Sequence, residues 1–219
     1  FPDYFHAHLQ SCKNQNPNIN FFIFTDQNIN INAPNIKTCY INQKILKNKV
    51  RNKTSISIAA DISCGRKICD YRPLYGHIFE EYLSEYDYIG FYDIDCMFGN
   101  MYDMLSHHLD KEIISIGDAV YYPGVRGPFT IWRNISYYNE FYKKIPNYEA
   151  LLKDPEYKGV DEHEFNIALS KQDIQKIEID KLKQDNIKID KLKQDTQKFK
   201  FANKFCPMLG LAAMAGGAN

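Results

Sequence analysis

Tyr86-Asp87-Tyr88-Ile89-Gly90-Phe91-Tyr92-Asp93-Ile94-Asp95-Cys96-Met97-Phe98-Gly99 is the stretch that decides how the chain is read. Aromatic and aliphatic residues that favour strands run up to two acids separated by one residue. Successive side chains on a strand point to opposite faces, so the spacing predicts Asp93 and Asp95 on one face, where a buried strand emerges from a sheet. Carboxylates that close repel unless a positive group lies between them, and a hard divalent cation fills that role. Such an ion keeps positions open for water and substrate phosphates. The pair therefore reads as the metal–diphosphate station of an enzyme using a nucleotide-linked substrate. The competing reading is two turn-forming or solvated acids at a strand end. An apolar strand before the acids, a Phe98-Gly99 turn after them and a helix-like 100–105 favour the first reading. In open α/β sheets, ligands bind outside the carboxyl ends of strands.

Composition limits the classes. The 219 residues are 44% hydrophobic and 25% charged, which suits a soluble globular domain with a real core. Acids and bases number 27 each, so the basic excess of a nucleic-acid binder is missing and no nucleic-acid partner is expected. Cys12, Cys39, Cys64, Cys69, Cys96 and Cys206 form no C-x-x-C pair and no zinc-finger spacing. They read as buried reduced thiols in a reducing, cytoplasmic setting, with Cys64 and Cys69 close enough to be noted as a pair. No apolar run reaches the ~20 residues of a membrane span and no signal peptide is visible. No transmembrane segment is expected, and peripheral association at the inner membrane face is the membrane contact the reading allows.

Taken in order, residues 1–16 predict a helix with Phe5, Leu9 and Cys12 on one face. His6 and His8 fall on it as surface or partly buried side chains. Residues 19–24 predict a strand closed by Thr25-Asp26, 28–35 a loop, 36–41 a short strand and 43–53 a helix. Residues 67–76 lead into a helix carrying Leu74, Ile78, Phe79, Tyr82 and Leu83. Beyond the 86–99 stretch come a helix at 100–109, a buried strand at 112–117, a Gly/Pro loop and a strand at 128–133. Asn134 is placed to cap a helix reaching 144. A short helix at 148–154 and an amphipathic one at 161–170, with Phe165, Ala168 and Leu169 inward, complete the pattern. This alternation predicts an α/β fold with a mostly parallel sheet flanked by helices. It opens on a helix, so the strand that usually begins such a unit is expected to be missing.

After 170 the character changes. Residues 177–185 (IEIDKLKQD) recur at 187–195 (IKIDKLKQD), a tandem duplication that reads as a strand pair or a charged helix with no part in chemistry. Residues 206–219 (CPMLGLAAMAGGAN) contain no Ile, Lys, Tyr or Phe and read as a tail outside the fold. The expected organisation is one domain over 1–170, the charged duplicated segment over 171–205 and the tail over 206–219.

Five segments, in order, carry a resemblance. They are F-I-F-T-D at 22–26, K-I-C-D-Y-R-P-L-Y-G at 67–76, Y-I-G-F-Y-D-I-D-C-M-F-G at 88–99, G-P-F-T-I-W-R-N at 127–134 and V-D-E-H at 160–163. The set resembles an uncharacterised family of GT-A-like glycosyltransferase domains of bacteria and giant viruses, over residues 1–170, most specifically at 67–99. The resemblance implies a GT-A-like, Rossmann-related sheet. It implies transfer of a sugar from a nucleotide-sugar donor, UDP-linked above all, to a hydroxyl of a glycan or other surface acceptor. Thr25 and Asp26 would contact the nucleotide, Asp26 at its base. Asp93 and Asp95 would hold Mn2+ or Mg2+ on the diphosphate, Asp95 as direct ligand and Asp93 also as a sugar or ribose contact. Lys67, Asp70 and Arg72 would contact the donor, and Asp161 or Glu162 would act as general base or sugar-binding group. Two departures stand out: the opening strand is lacking, and no histidine follows His163 to join the metal.

Each candidate also has a plainer role. Asp161 followed by Glu164 has the spacing of a capping box, which would leave Glu162 as the base. Lys67 and Arg72, flanking Asp70, suit phosphate contact or simple surface charge. Trp132 reads as core, and Tyr121 and Tyr122 as an acceptor platform or core packing. His107 and His108 close a helix, where a dipole role suffices. A metal-dependent glycosyltransferase is the leading expectation. The alternatives are a non-catalytic or degenerate module of a larger glycan-assembly protein and a sugar nucleotidyltransferase.

Overall fold

A computed structural model describes residues 3–59, 65–116 and 124–172, with the backbone of two further strands at Lys176–Ile179 and Leu209–Leu211. In chain order come α1 (Phe5–Gln15), β1 (Phe21–Thr25), β2 (Ile36–Tyr40), α2 (Gln43–Thr54), a 3-10 helix (Gly65–Leu74), α3 (Tyr75–Ile78), α4 (Glu80–Leu83), β3 (Tyr88–Tyr92) and α5 (Met101–Ser106). There follow β4 (Ile113–Ile116), β5 (Phe129–Arg133), α6 (Ser136–Asn139), a 3-10 turn (Phe141–Lys144), α7 (Tyr148–Lys153), a π-helical turn (Val160–Glu164), α8 (Phe165–Ser170), β6 (Lys176–Ile179) and β7 (Leu209–Leu211). Cys64, Tyr121, Tyr122, Cys206 and the second copy of the duplication lie outside the described residues.

The architecture is mixed α/β. One sheet has the order β2-β1-β7 and the other β3-β5-β4-β6. β1 pairs parallel with both its neighbours, and β6 is parallel to β4. β5, however, runs antiparallel to β3 and to β4. The mostly parallel sheet expected from the alternation is thus a small parallel sheet beside a larger mixed one. A strand buried on both faces is apolar throughout whichever way it runs, so its direction leaves no mark on periodicity. β7 lies against β1 and beside β3, so three residues of the segment read as a tail take a place in the sheet.

Alternation along the strands divides the core into two clusters. Phe22 and Phe24 of β1, Ile89 and Phe91 of β3, and Trp132 of β5 face one way. Against them pack Leu46 and Val50 of α2, Tyr71 and Leu74 of the 3-10 helix, Ile78 of α3, Leu83 of α4, and Phe165, Ala168 and Leu169 of α8. Phe21, Ile23, Tyr88, Tyr92 and Ile131 face the other way, under Phe5 and Cys12 of α1 and Met101 and Leu105 of α5. The sheets are sandwiched between helices, as burial on both strand faces demands.

Buried amides hold the loops. Asn16 donates to the carbonyl of Gly99 (2.9 Å) and accepts from the Met101 N–H (2.8 Å), tying the end of α1 to the start of α5. Asn134 does not cap α6. Its amide donates to the carbonyls of Leu83 and Tyr86, both at 2.8 Å, and so fixes the turn that leads into β3. His8 is buried rather than superficial. Its Nδ1 donates to the Cys96 carbonyl (2.6 Å) and its ring stacks on Tyr92 at 5.2 Å between centroids.

Gly90, at the centre of β3, faces the β5 backbone. A Cβ there would lie 1.9 Å from the Thr130 carbonyl oxygen and 2.6 Å from the Ile131 Cα. Backbone cannot rotate away as a side chain can, so Gly90→Ala is expected to cost more than about 3 kcal/mol. A fall in urea midpoint of that size, or failure to fold, checks it.

Candidate functional site

The segment Gly65–Leu74 is a ten-residue 3-10 helix, and its geometry sorts its side chains. With three residues per turn, positions i and i+3 eclipse and the helix has three faces. Ile68, Tyr71 and Leu74 form the face toward the core. Lys67 and Asp70 form the second and are fully buried. Arg66, Cys69 and Arg72 form the third and line an open cleft at the carboxyl end of β3.

Lys67 and Asp70 answer each other's charge at 2.9 Å. The ammonium also donates to the carbonyls of Leu151 (2.7 Å) and Glu156 (3.1 Å), which accounts for all its protons. Asp70 in turn accepts the N–H groups of Lys158 and Val160, each at 2.9 Å. The pair therefore shapes residues 151–160, the approach to the π-helical turn. Read as donor contacts, Lys67 and Asp70 are instead placed out of reach of solvent.

Just beyond that approach stands Asp161, opposite Arg72. The guanidinium bridges two acids: Nη2 pairs with Asp93, and Nη1 donates to Asp161 at 3.0 Å and to the Gly127 carbonyl at 3.3 Å. Phe91 supports it from below, its ring centre 5.2 Å from Cζ. Glu162 accepts the Gly127 N–H at 2.5 Å, and Tyr157 donates to Asp161 at 3.5 Å. Together with Arg66 and Cys69 these groups line a cleft of about 200 Å³. Gly127 allows the loop this close, since a Cβ would sit 2.8 Å from Glu162 Oε1 and 3.2 Å from Arg72 Nη1.

Burial governs the charge state of the cleft. Asp161 is raised to about 7 by desolvation, which outweighs the pull of Arg72 and is reinforced by Glu162 and Asp70. Burial opposes the charge on Arg72, but the neighbouring acids Asp161 and Asp93 offset it and the guanidinium stays protonated. Cys69 is pushed up to about 12 by burial and is a thiol at neutral pH, not a nucleophile.

Arg72, Asp93, Asp161 and Glu162 of the expected site thus converge. Asp95 does not share the geometry predicted for it. β3 ends at Tyr92, and the chain turns at once, the Asp93 carbonyl accepting from the Cys96 N–H (3.1 Å), so strand alternation no longer applies. Asp95 stands exposed in that turn. Thr25 is buried at the end of β1, where its hydroxyl accepts the Gln27 N–H (3.0 Å), and Asp26 follows it half-buried. Neither is among the residues lining the cleft. The capping-box reading of Asp161 gives way as well. Gly159 is the N-cap and its carbonyl accepts the N–H of His163 at 2.8 Å, while Glu164 turns to His163.

These residues do not fit a resident Mn2+ or Mg2+. Arg72 already bridges Asp93 and Asp161, Glu162 is taken up by the Gly127 N–H, and Asp95 stands apart and exposed. Among the described residues no group of three or more His, Cys, Asp or Glu is arranged to hold a metal. Sequence reasoning missed Arg66, Cys69 and Tyr157 as cleft residues. Arg66, Cys69 and Arg72 do recur every third position, a signal legible only once the 3-10 geometry is known. Tyr157 left no signal.

An α/β protein with a charged cleft at the carboxyl end of β3 is the class that fold and site define. The family model of DUF6625, a family of unknown function, matches residues 1–208, and the chain belongs to that family. No curated protein and no solved structure matches it. Among the described residues no helix is long and apolar enough to cross a membrane.

Two measurements check this account. Lys67→Met leaves a buried carboxylate without its counter-charge and is expected to cost about 3–5 kcal/mol, whereas Lys67→Met with Asp70→Leu recovers part of that loss. For Asp161, the folded value of about 7 lies above the ordinary 3.8. Its contribution to stability is therefore present below the lower value and lost as pH rises through the upper one. Urea unfolding of wild type against Asp161→Asn is expected to shift in the variant's favour by at least about 1 kcal/mol over that window.

Proposed function

We propose that the chain is the donor-binding domain of a nucleotide-sugar-dependent glycosyltransferase, working at the cleft beyond β3. The observation that carries this reading is Asp161: a buried carboxyl at about 7, lining the cleft at the end of β3. A general base is most effective when its value lies near the working pH, and Asp161 meets that condition. In the proposed reaction the acceptor hydroxyl loses its proton to Asp161 as it attacks the sugar carbon. Glu162, anchored on the Gly127 N–H, orients the acceptor. Arg66 and Arg72 are the cations of the cleft, within reach of a leaving diphosphate. No step is assigned to a metal.

A second reading also has its observation. Arg72 is already satisfied by two carboxylates, and about 200 Å³ is below the ~300–1,000 Å³ of ordinary small-molecule sites. A non-catalytic module of a glycan-assembly protein has these properties. Calorimetry with UDP separates the two, because a module without a working donor site releases no binding heat.

Under the catalytic reading, turnover of a panel of UDP-sugars rises with pH through about 7 and then levels off, as the base is freed. Asp161→Asn is expected to lower that rate by about 10²-fold or more with UDP affinity largely kept. Glu162→Gln acts mainly on the acceptor's KM. Full activity in Asp161→Asn, or no turnover and no UDP binding in wild type, rejects the reading.

A further inference from the structure

Helix α2 carries Lys44, Lys47, Lys49, Arg51 and Lys53, and no acid occurs anywhere in residues 27–60 of a chain whose net charge is zero. Acids from α4 answer part of this charge: Glu81 pairs with Lys49 and Glu80 with Lys53. A groove lies along a different stripe of the helix. Gln43, Lys44, Lys47, Asn48 and Arg51 fall at spacings that share one helix face. With Ser57 and Ile58 they enclose a groove of about 320 Å³. Among the described residues no carboxylate lines it. Lys44 and Arg51 are exposed, and among the described residues neither has an acidic partner. The Asn48 side chain accepts from Arg51 Nη2 at 3.2 Å and orients the guanidinium. Two amides and the Ser57 hydroxyl add neutral donors to the same wall.

We propose that this groove is an anion site for a phosphate group, carried by a soluble phosphorylated molecule or by the headgroup of an anionic lipid. At ~1.5 Å rise per residue, Lys44 and Arg51 lie about 10 Å apart along the helix, with Lys47 between them. That span exceeds one phosphate, so ligands with two anionic groups bind better than orthophosphate. The site is separate from the cleft beyond β3 and does not rest on sugar transfer.

The test uses the full chain and two probes. Inorganic pyrophosphate is titrated by calorimetry at low salt, and vesicles of phosphatidylcholine, with and without phosphatidylserine, are sedimented with the protein. Wild type is compared with Lys44→Glu/Arg51→Glu, whose substitutions are both exposed, and with Lys13→Glu on α1 as a control for bulk charge. Thermal unfolding verifies that each variant is folded. Binding is expected to weaken at least tenfold in the double variant, to change little in the control and to fade at about 0.5 M salt. Pyrophosphate binding without pelleting assigns a soluble ligand, and pelleting that requires phosphatidylserine assigns a lipid. Equal binding by all three proteins, or binding to neither probe, overturns the proposal.

Discussion

Lys67 and Asp70 sit side by side without exposure to solvent, and each turns its remaining hydrogen-bonding capacity on main chain some 80–90 positions away. A lone buried charge is costly, and this pair is tolerable because every proton and lone pair of consequence has a partner. The arrangement has a geometric result. The N–H groups that Asp70 accepts belong to Lys158 and Val160, so the carboxylate dictates where the next residue, Asp161, emerges. The interaction that secures the interior is also the one that presents the cleft's acid.

The 3-10 helix makes this double duty possible. Ten residues at three per turn separate an apolar face, a buried ionic face and a cleft face along one short segment. An α-helix of the same sequence would smear those faces over a 3.6-residue period and carry Arg72 out of line with Arg66 and Cys69. Runs this long are uncommon in 3-10 form, and the contacts with Leu151, Glu156, Lys158 and Val160 are what sustain it here.

Arg72 gives the site its electrostatic character. It spans Asp93 and Asp161 and rests on Phe91, so the end of β3 is joined to the π-helical turn by one planar cation. Two acids of the cleft are thereby bridged by Arg72. The same burial that confines the guanidinium raises Asp161 toward neutrality. Fold and charge state are consequences of one desolvated cluster.

Much of the scaffold was legible in the residues themselves. The strands at 21–25, 36–40, 88–92, 113–116 and 129–133 follow from apolar, β-branched and aromatic runs, and the inward face of α8 from its 3.6-residue period. His8 was legible too, since it shares a face with Phe5 and Cys12, yet a histidine invites a surface reading. Strand direction was not legible, because a doubly buried strand has no polar face to orient it. Nor was the partnership of Lys67 with Asp70 or of Arg72 with Asp93 and Asp161. Charged residues carry no sign of burial until distant main chain closes around them. By itself the sequence determined which segments form strands and helices and that acids gather at the end of a buried strand. Only the tertiary structure decided which acid meets a guanidinium, which stays in water and which is raised toward neutrality. Those outcomes depend on solvent exclusion by residues far apart in the chain.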